Sequence, residues 1–253
     1  LSGNYMPNYT SGITFFIAVA ATNLFHQGNW QRVFAAKDYN VLKRSLKFSF
    51  LIIIPTVSIM GITGIFAISL DNKINPDLAF FSLLLKENSE IIAVAVIILA
   101  ISLTVSTLDT LINGISSLII VDGKKISKNI NSSNFIIIIL SIIALFVASK
   151  GFSILYLFLL ADLLCCAAVF PVFYGFFKKK IIESDLILSI VIGLVLGLLF
   201  FPNTSFTNSL LVGGLINNEF FPAIIKNYLL FWSFLIATIA PTVTVLFKYN
   251  PSK

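Results

Sequence analysis

The chain predicts an all-α membrane protein with about seven transmembrane helices, on three observations. Of its 253 residues, 58% are hydrophobic and only 11% are charged, with a mean hydropathy of +0.99. A soluble domain carries about 25% charged residues. The shortfall excludes a disordered tail, a nucleic-acid-binding domain and an ordinary cytosolic enzyme. Second, the apolar residues gather in seven stretches, at 13–25, 48–70, 91–112, 135–148, 152–177, 186–201 and 229–247. Several approach the roughly 20 residues that a hydrocarbon layer of about 30 Å demands of a helix. Third, these stretches are rich in Ile, Leu and Phe without period-2 alternation, which argues against a lipid-facing β-barrel.

The first stretch is short and follows a segment, 3–12, that contains Gly3, Asn4, Pro7, Asn8 and Gly12. A truncated span beside helix-breaking residues fits a discontinuous transporter helix. It equally fits an ordinary helix whose beginning is cut away. The opening Leu1-Ser2-Gly3-Asn4-Tyr5 lacks a Met and is read as the middle of a longer protein. The second, third, fifth and seventh stretches are long enough to span. Those at 135–148 and 186–201 are short, and either gain a turn from polar flanks or sit inside the bundle. Cys165 and Cys166 fall within an apolar run and imply no disulfide framework.

Orientation follows from the basic residues. Arg32, Lys37, Lys43, Arg44, Lys47, Lys124, Lys125, Lys128, Lys178, Lys179, Lys180, Lys248 and Lys253 fall in alternate connections, thirteen of the 17. Only Lys73, Lys86, Lys150 and Lys226 fall on the other side. The first side is therefore read as cytoplasmic. The net charge of +6 is accounted for by topology and needs no nucleic-acid partner.

The third stretch carries the clearest chemical signal. Ser102, Ser106, Asp109 and Asn113 recur at helical spacing, with Thr107 and Thr110 beside them. A carboxylate at membrane depth costs about 3 kcal/mol on insertion scales, so it faces a partner, a cavity or an ion. Hydroxyls, a carboxylate and backbone carbonyls are hard oxygen ligands suited to an alkali or alkaline-earth cation. A stripe of small polar residues bonding to a neighbouring helix accounts for the same pattern. Asp162, mid-way along the fifth stretch, is a second intramembrane carboxylate, able to bind substrate, accept a proton or pair across the bundle, and a structural role hydrogen-bonding a helix accounts for it nearly as well. His26, at the end of the first stretch, reads as a solvated interfacial residue. The sequons at Asn8, Asn131 and Asn203 are three-residue matches with little specificity. No nucleophile–base set, metal-spaced His/Cys cluster or phosphate-cradling glycine loop is visible, so no enzymatic activity is expected.

Two segments carry a family resemblance. The run from His26 to Asp38, His-Gln-Gly-Asn-Trp-Gln-Arg-Val-Phe-Ala-Ala-Lys-Asp, resembles a cytoplasmic loop of the sodium:solute symporter family. The run from Val105 to Ser117, with Asp122 beyond it, resembles that family's ion-site helix. The spacing of the two segments also fits, and the likeness covers most of the chain.

The resemblance implies the second half of a five-plus-five inverted-repeat transporter fold. Residues 1–177 would form the second five-helix repeat and 178–253 two peripheral helices of a single transmembrane domain. It implies sodium binding by the Leu103 carbonyl with the Ser106 and Thr107 hydroxyls. Asp109 and Thr110 match a second cation site that some members have. Hydroxyls are usual there, so the carboxylate leaves a second sodium, a proton or nothing as its occupant. Thr22, Asn23 and Asp162 would line the substrate cavity. The sugar carriers present aromatic residues near Thr22 and Asn23, which disfavours a sugar. Gln27, Trp30 and Gln31 are similar to the urea-type branch.

The function so implied is sodium-coupled symport of a small organic solute, such as an amino acid or urea. Sodium would be the coupling ion, with no cofactor, in a multi-pass protein of the plasma (inner) membrane. The alternative is a symporter-like sensor domain feeding a signalling module. The chain's end at Asn250-Pro251-Ser252-Lys253, just past the last stretch, favours the carrier.

Overall fold

The computed structural model describes residues 6–71, 73–85, 90–123, 130–177, 182–211 and 227–248. Among these residues the structure is helical, without a strand. Nine α-helices are described: α1 (Met6–Phe25), α2 (Gln27–Phe34), α3 (Tyr39–Leu70), α4 (Ala79–Leu85), α5 (Glu90–Gly123), α6 (Ile130–Ser149), α7 (Ile154–Phe177), α8 (Glu183–Phe200) and α9 (Leu229–Lys248). A 3₁₀ turn, Pro76–Leu78, precedes α4. Helices α3, α5, α7, α8 and α9 are long and apolar enough to cross a bilayer. That is the make-up of a multi-pass membrane protein. The stretches at 13–25 and 135–148 lie in the 20-residue helices α1 and α6.

The chain divides into two compact units, one of Leu1–His26 with Gly151–Lys253 and the other of Gln27–Lys150. In the first, α9 packs along α8 and α7, while α1 packs on α7 and α9. Its core joins Ala18 and Ala21 of α1 to Tyr156, Leu159, Leu163 and Cys166 of α7, with Phe201, Phe234 and Ala237. The α8–α9 seam is built of small residues. Ser189, Gly193 and Gly197 recur every four positions and are buried. Gly193 and Gly197 face Ser233, Ala237 and Pro241 of α9, spaced the same way. A Cβ on Gly193 would lie 2.7 Å from Pro241 Cδ, and one on Gly197 would lie 2.8 Å from Ala237 Cβ. The close approach lets the Ser233 hydroxyl donate to the Gly197 carbonyl at 2.8 Å. Without a hydrophobic drive between helices in lipid, such van der Waals contact supplies the association.

The ends of this unit are closed by specific contacts. Tyr156 donates its hydroxyl to the Pro202 carbonyl at 3.3 Å and packs its ring on Phe201 and Phe206. The turn after α8 is organised by Asn203, whose Oδ1 accepts from the Thr207 amide at 3.1 Å and the Ser205 hydroxyl at 3.0 Å. At the opposite end, Lys248 pairs with Asp185 at 2.7 Å, joining the end of α9 to the start of α8.

In the second unit, α3 packs on α4, α5 on α6, and α2 on α5. Asp38 caps α3, its carboxylate accepting from the Val41 amide at 2.8 Å. Pro55 lies inside α3; membrane helices tolerate such a proline because side chains and local adjustment re-satisfy the freed carbonyl.

Three expectations need correction. The basic segment 32–47 is not a loop: Arg32 lies in α2, and Lys43, Arg44 and Lys47 lie in α3. Lys and Arg are good helix formers, and with Asp38 as cap the helix runs about two turns beyond its apolar part. The expected break before α1 is absent from its described portion, since Pro7, Asn8 and Gly12 are all helical. Proline in the first turn lacks only an N–H that would have no intrahelical partner there. Gly3 and Asn4 lie outside the described residues. The interruption comes instead at His26, between α1 and α2. The third stretch continues about three turns past residue 112, to Gly123. Lys124, Lys125, Lys128, Lys178, Lys179 and Lys180 lie outside the described residues.

Candidate functional site: two intramembrane carboxylates and a polar stripe

Asp162 sits midway along α7, in the core of the first unit, and is only 7% exposed. Its Oδ1 accepts a hydrogen bond from the Thr22 hydroxyl, 140 residues away on α1. Ala18, one turn before Thr22, and Ala21, directly before it, are buried in the same core and keep the two helices close enough for these short side chains to meet. Cys166, one turn after Asp162, points its thiol at the Ile17 carbonyl, 3.8 Å away. The structure thus brings together Thr22 and Asp162 of the expected cavity residues. It does not bring in Asn23, whose side chain is exposed and donates to the Val19 carbonyl of its own helix at 2.8 Å.

The expected sodium ligands lie on α5 in the second unit. The Thr107 hydroxyl donates to the Leu103 carbonyl at 2.9 Å, so two of the three proposed ligand oxygens already touch. The Thr110 hydroxyl donates to the Ser106 carbonyl at 3.0 Å, and Ser102 to Ile98 at 2.8 Å. Leu103, Ser106, Thr107 and Asp109 are all exposed. No residue of another helix is joined to them among the described residues, and Asp109 has no hydrogen-bond partner there. The Ser102, Thr107 and Thr110 hydroxyls are satisfied by their own helix, as Ser and Thr in apolar helices commonly are.

The two segments that carry the family resemblance do meet. Gly114 of α5 is buried, and the Gln27 side chain of α2 lies beside it, 3.6 Å from where a Cβ would stand. One turn on, Gln31 Nε2 donates to Ser117 Oγ at 3.1 Å. Neither contact was drawn from the sequence, although Gln27/Gln31 and Gly114/Ser117 each sit one turn apart, which is its signal. The same holds for the α8–α9 seam, where the four-residue repeat of small residues is legible in retrospect.

His26 departs from its expected solvation, since its Nδ1 is buried without a hydrogen-bond partner among the described residues. Among the described residues no cluster of three His, Cys, Asp or Glu side chains is placed to hold a metal. No protein-family model, curated protein or solved structure matches this chain.

Proposed function

We propose that the chain belongs to a sodium-coupled secondary transporter of a small organic solute, such as an amino acid or urea, in the plasma (inner) membrane. The observation that carries this reading is the oxygen-rich stripe of α5. Within a 34-residue helix of apolar character, the Leu103 carbonyl and the Ser106 and Thr107 hydroxyls fall within about one turn. Asp109 and Thr110 follow directly. These are the hard, uncharged or anionic oxygens that replace the water shell of an alkali cation. Their present hydrogen bonds stay within one helix, so a cation displaces them by rotating a hydroxyl, without separating packed helices.

Sodium and solute would both favour the same outward-facing state, and coupling follows from that shared preference. One charge crossing 100 mV contributes about 2.3 kcal/mol before the concentration gradient is added. The Thr22–Asp162 pair would line the solute path, where a carboxylate at membrane depth is a recognition group for an amino or amide function.

The test is uptake of labelled amino acids and urea into proteoliposomes holding the intact protein, with and without an inward sodium gradient. Ser106→Ala and Thr107→Ala are each expected to raise the sodium concentration for half-maximal uptake several-fold. Sodium-independent uptake, or an unchanged sodium requirement in both variants, refutes the reading. Solute binding without net uptake points instead to the sensor.

A further inference from the structure

A groove of about 640 Å³ runs along one face of α3, lined by Tyr39, Lys43, Leu46, Lys47, Phe50 and Ile54 among others. It is an open face of one helix, and Pro55 lies at its far end. The lining is divided by chemistry: two ammonium groups lie toward the helix start, and aliphatic and aromatic side chains occupy the following two turns. Lys43 and Lys47 are one turn apart and so share a face. The other cation of this region is directed elsewhere, since the Arg44 guanidinium lies over the Phe48 ring, 5.8 Å from its centroid. The nearby Asp38 carboxylate caps the helix start. Among the described residues no carboxylate pairs with Lys43 or Lys47; the ion pair found there is Lys248–Asp185.

We propose that this groove is a seat for one anionic phospholipid, with the phosphate between Lys43 and Lys47 and an acyl chain along Leu46, Phe50 and Ile54. Charge complementarity selects this occupant: an apolar membrane helix would leave the two ammonium groups unpaired, and a soluble anion would leave the apolar floor unfilled. From Lys47 to Pro55 the helix rises about 12 Å, enough to seat a substantial part of an acyl chain below its headgroup. The basic end of α3 is also the side on which anionic lipid is concentrated. The seat differs from general attraction of a basic protein face to a bilayer, because it depends on two particular lysines.

The intact protein in neutral detergent, titrated separately with phosphatidylglycerol and phosphatidylcholine of identical chains, gives the test by native mass spectrometry. The first phosphatidylglycerol is expected to bind about thirtyfold more tightly than phosphatidylcholine, each lysine contributing a factor of about five. Lys43→Gln with Lys47→Gln removes this preference, while Arg32→Gln with Lys37→Gln, which deletes equal charge, preserves it. Soluble glycerol phosphate does not displace the lipid. If the double variant fails to fold, each single substitution carries the test with about a fivefold loss. A preference that survives Lys43→Gln and Lys47→Gln, an equal loss in both double variants, or displacement by glycerol phosphate overturns the proposal.

Discussion

Two carboxylates lie in apolar helices and are handled in opposite ways. Asp162 is buried and takes the Thr22 hydroxyl; Asp109 is exposed on α5, among hydroxyls that bond to their own helix. Thr22→Val keeps the shape but removes the donor, and is expected to cost about 1 kcal/mol, the scale of an interhelical bond in lipid. Asp162→Asn retains an acceptor oxygen and is expected to cost less, so thermal unfolding in detergent should rank Thr22→Val below Asp162→Asn. The reverse order would mean that the charge, rather than the hydrogen bond, holds α1 to α7. Asp109→Asn keeps size and removes charge. A raised sodium requirement marks a cation ligand, loss of the pH dependence of uptake marks a proton carrier, and wild-type behaviour in both titrations removes Asp109 from the mechanism. The pairing of Thr22 with Asp162 was legible only as a shared cavity, since sequence does not say which residues 140 positions apart will touch. Asn23 is exposed while its neighbour Thr22 faces α7, because adjacent residues on a helix point about 100° apart.

At the scale of elements, hydropathy located the long helices of the described residues and came within two residues of the ends of α7 and α9, but cut α1, α3, α5 and α6 short. Hydropathy reports where lipid is, whereas a helix stops where capping and backbone geometry stop it. Hence α3 starts at Tyr39, behind its Asp38 cap, well before its apolar part begins. The α8–α9 seam went unread because Gly and Ser lower local hydropathy and look like interruptions, though in lipid they mark close approach. Its consequence is testable. A methyl on Gly193 would meet the rigid Pro241 ring at 2.7 Å and the Ala237 carbonyl at 3.1 Å, neither of which is a flexible chain end. Gly193→Ala is therefore expected to push the helices apart and destabilise by about 1–3 kcal/mol, read as a lowered unfolding temperature. Gly12→Ala, where no atom lies within 4 Å, should have no such effect. An unshifted Gly193→Ala would show that the seam yields without cost.

For the whole molecule, orientation rests on charge: thirteen of 17 basic residues fall on one side of the sequence-read topology. Most of the basic connections lie outside the described residues, so the surviving check is the geometry of the first unit. Lys248 is read as cytoplasmic, and it forms an ion pair at 2.7 Å with Asp185 at the start of α8. At the other end of α8, Tyr156 near the start of α7 bonds to the Pro202 carbonyl. Between these ends α8 has 18 residues and rises about 27 Å, close to one hydrocarbon thickness. If α8 crosses the bilayer, its flanks cannot share a face. With Cys165 and Cys166 replaced by Ala, Thr204→Cys in the exposed turn should react with a membrane-impermeant maleimide on intact cells. Glu183→Cys, at the first residue of α8, should react only after permeabilisation. Reaction of both from outside would lay α8 along the interface. Reaction of Glu183→Cys alone from outside would keep the span and invert the orientation, removing the premise that the Lys43 and Lys47 end of α3 meets the anionic leaflet.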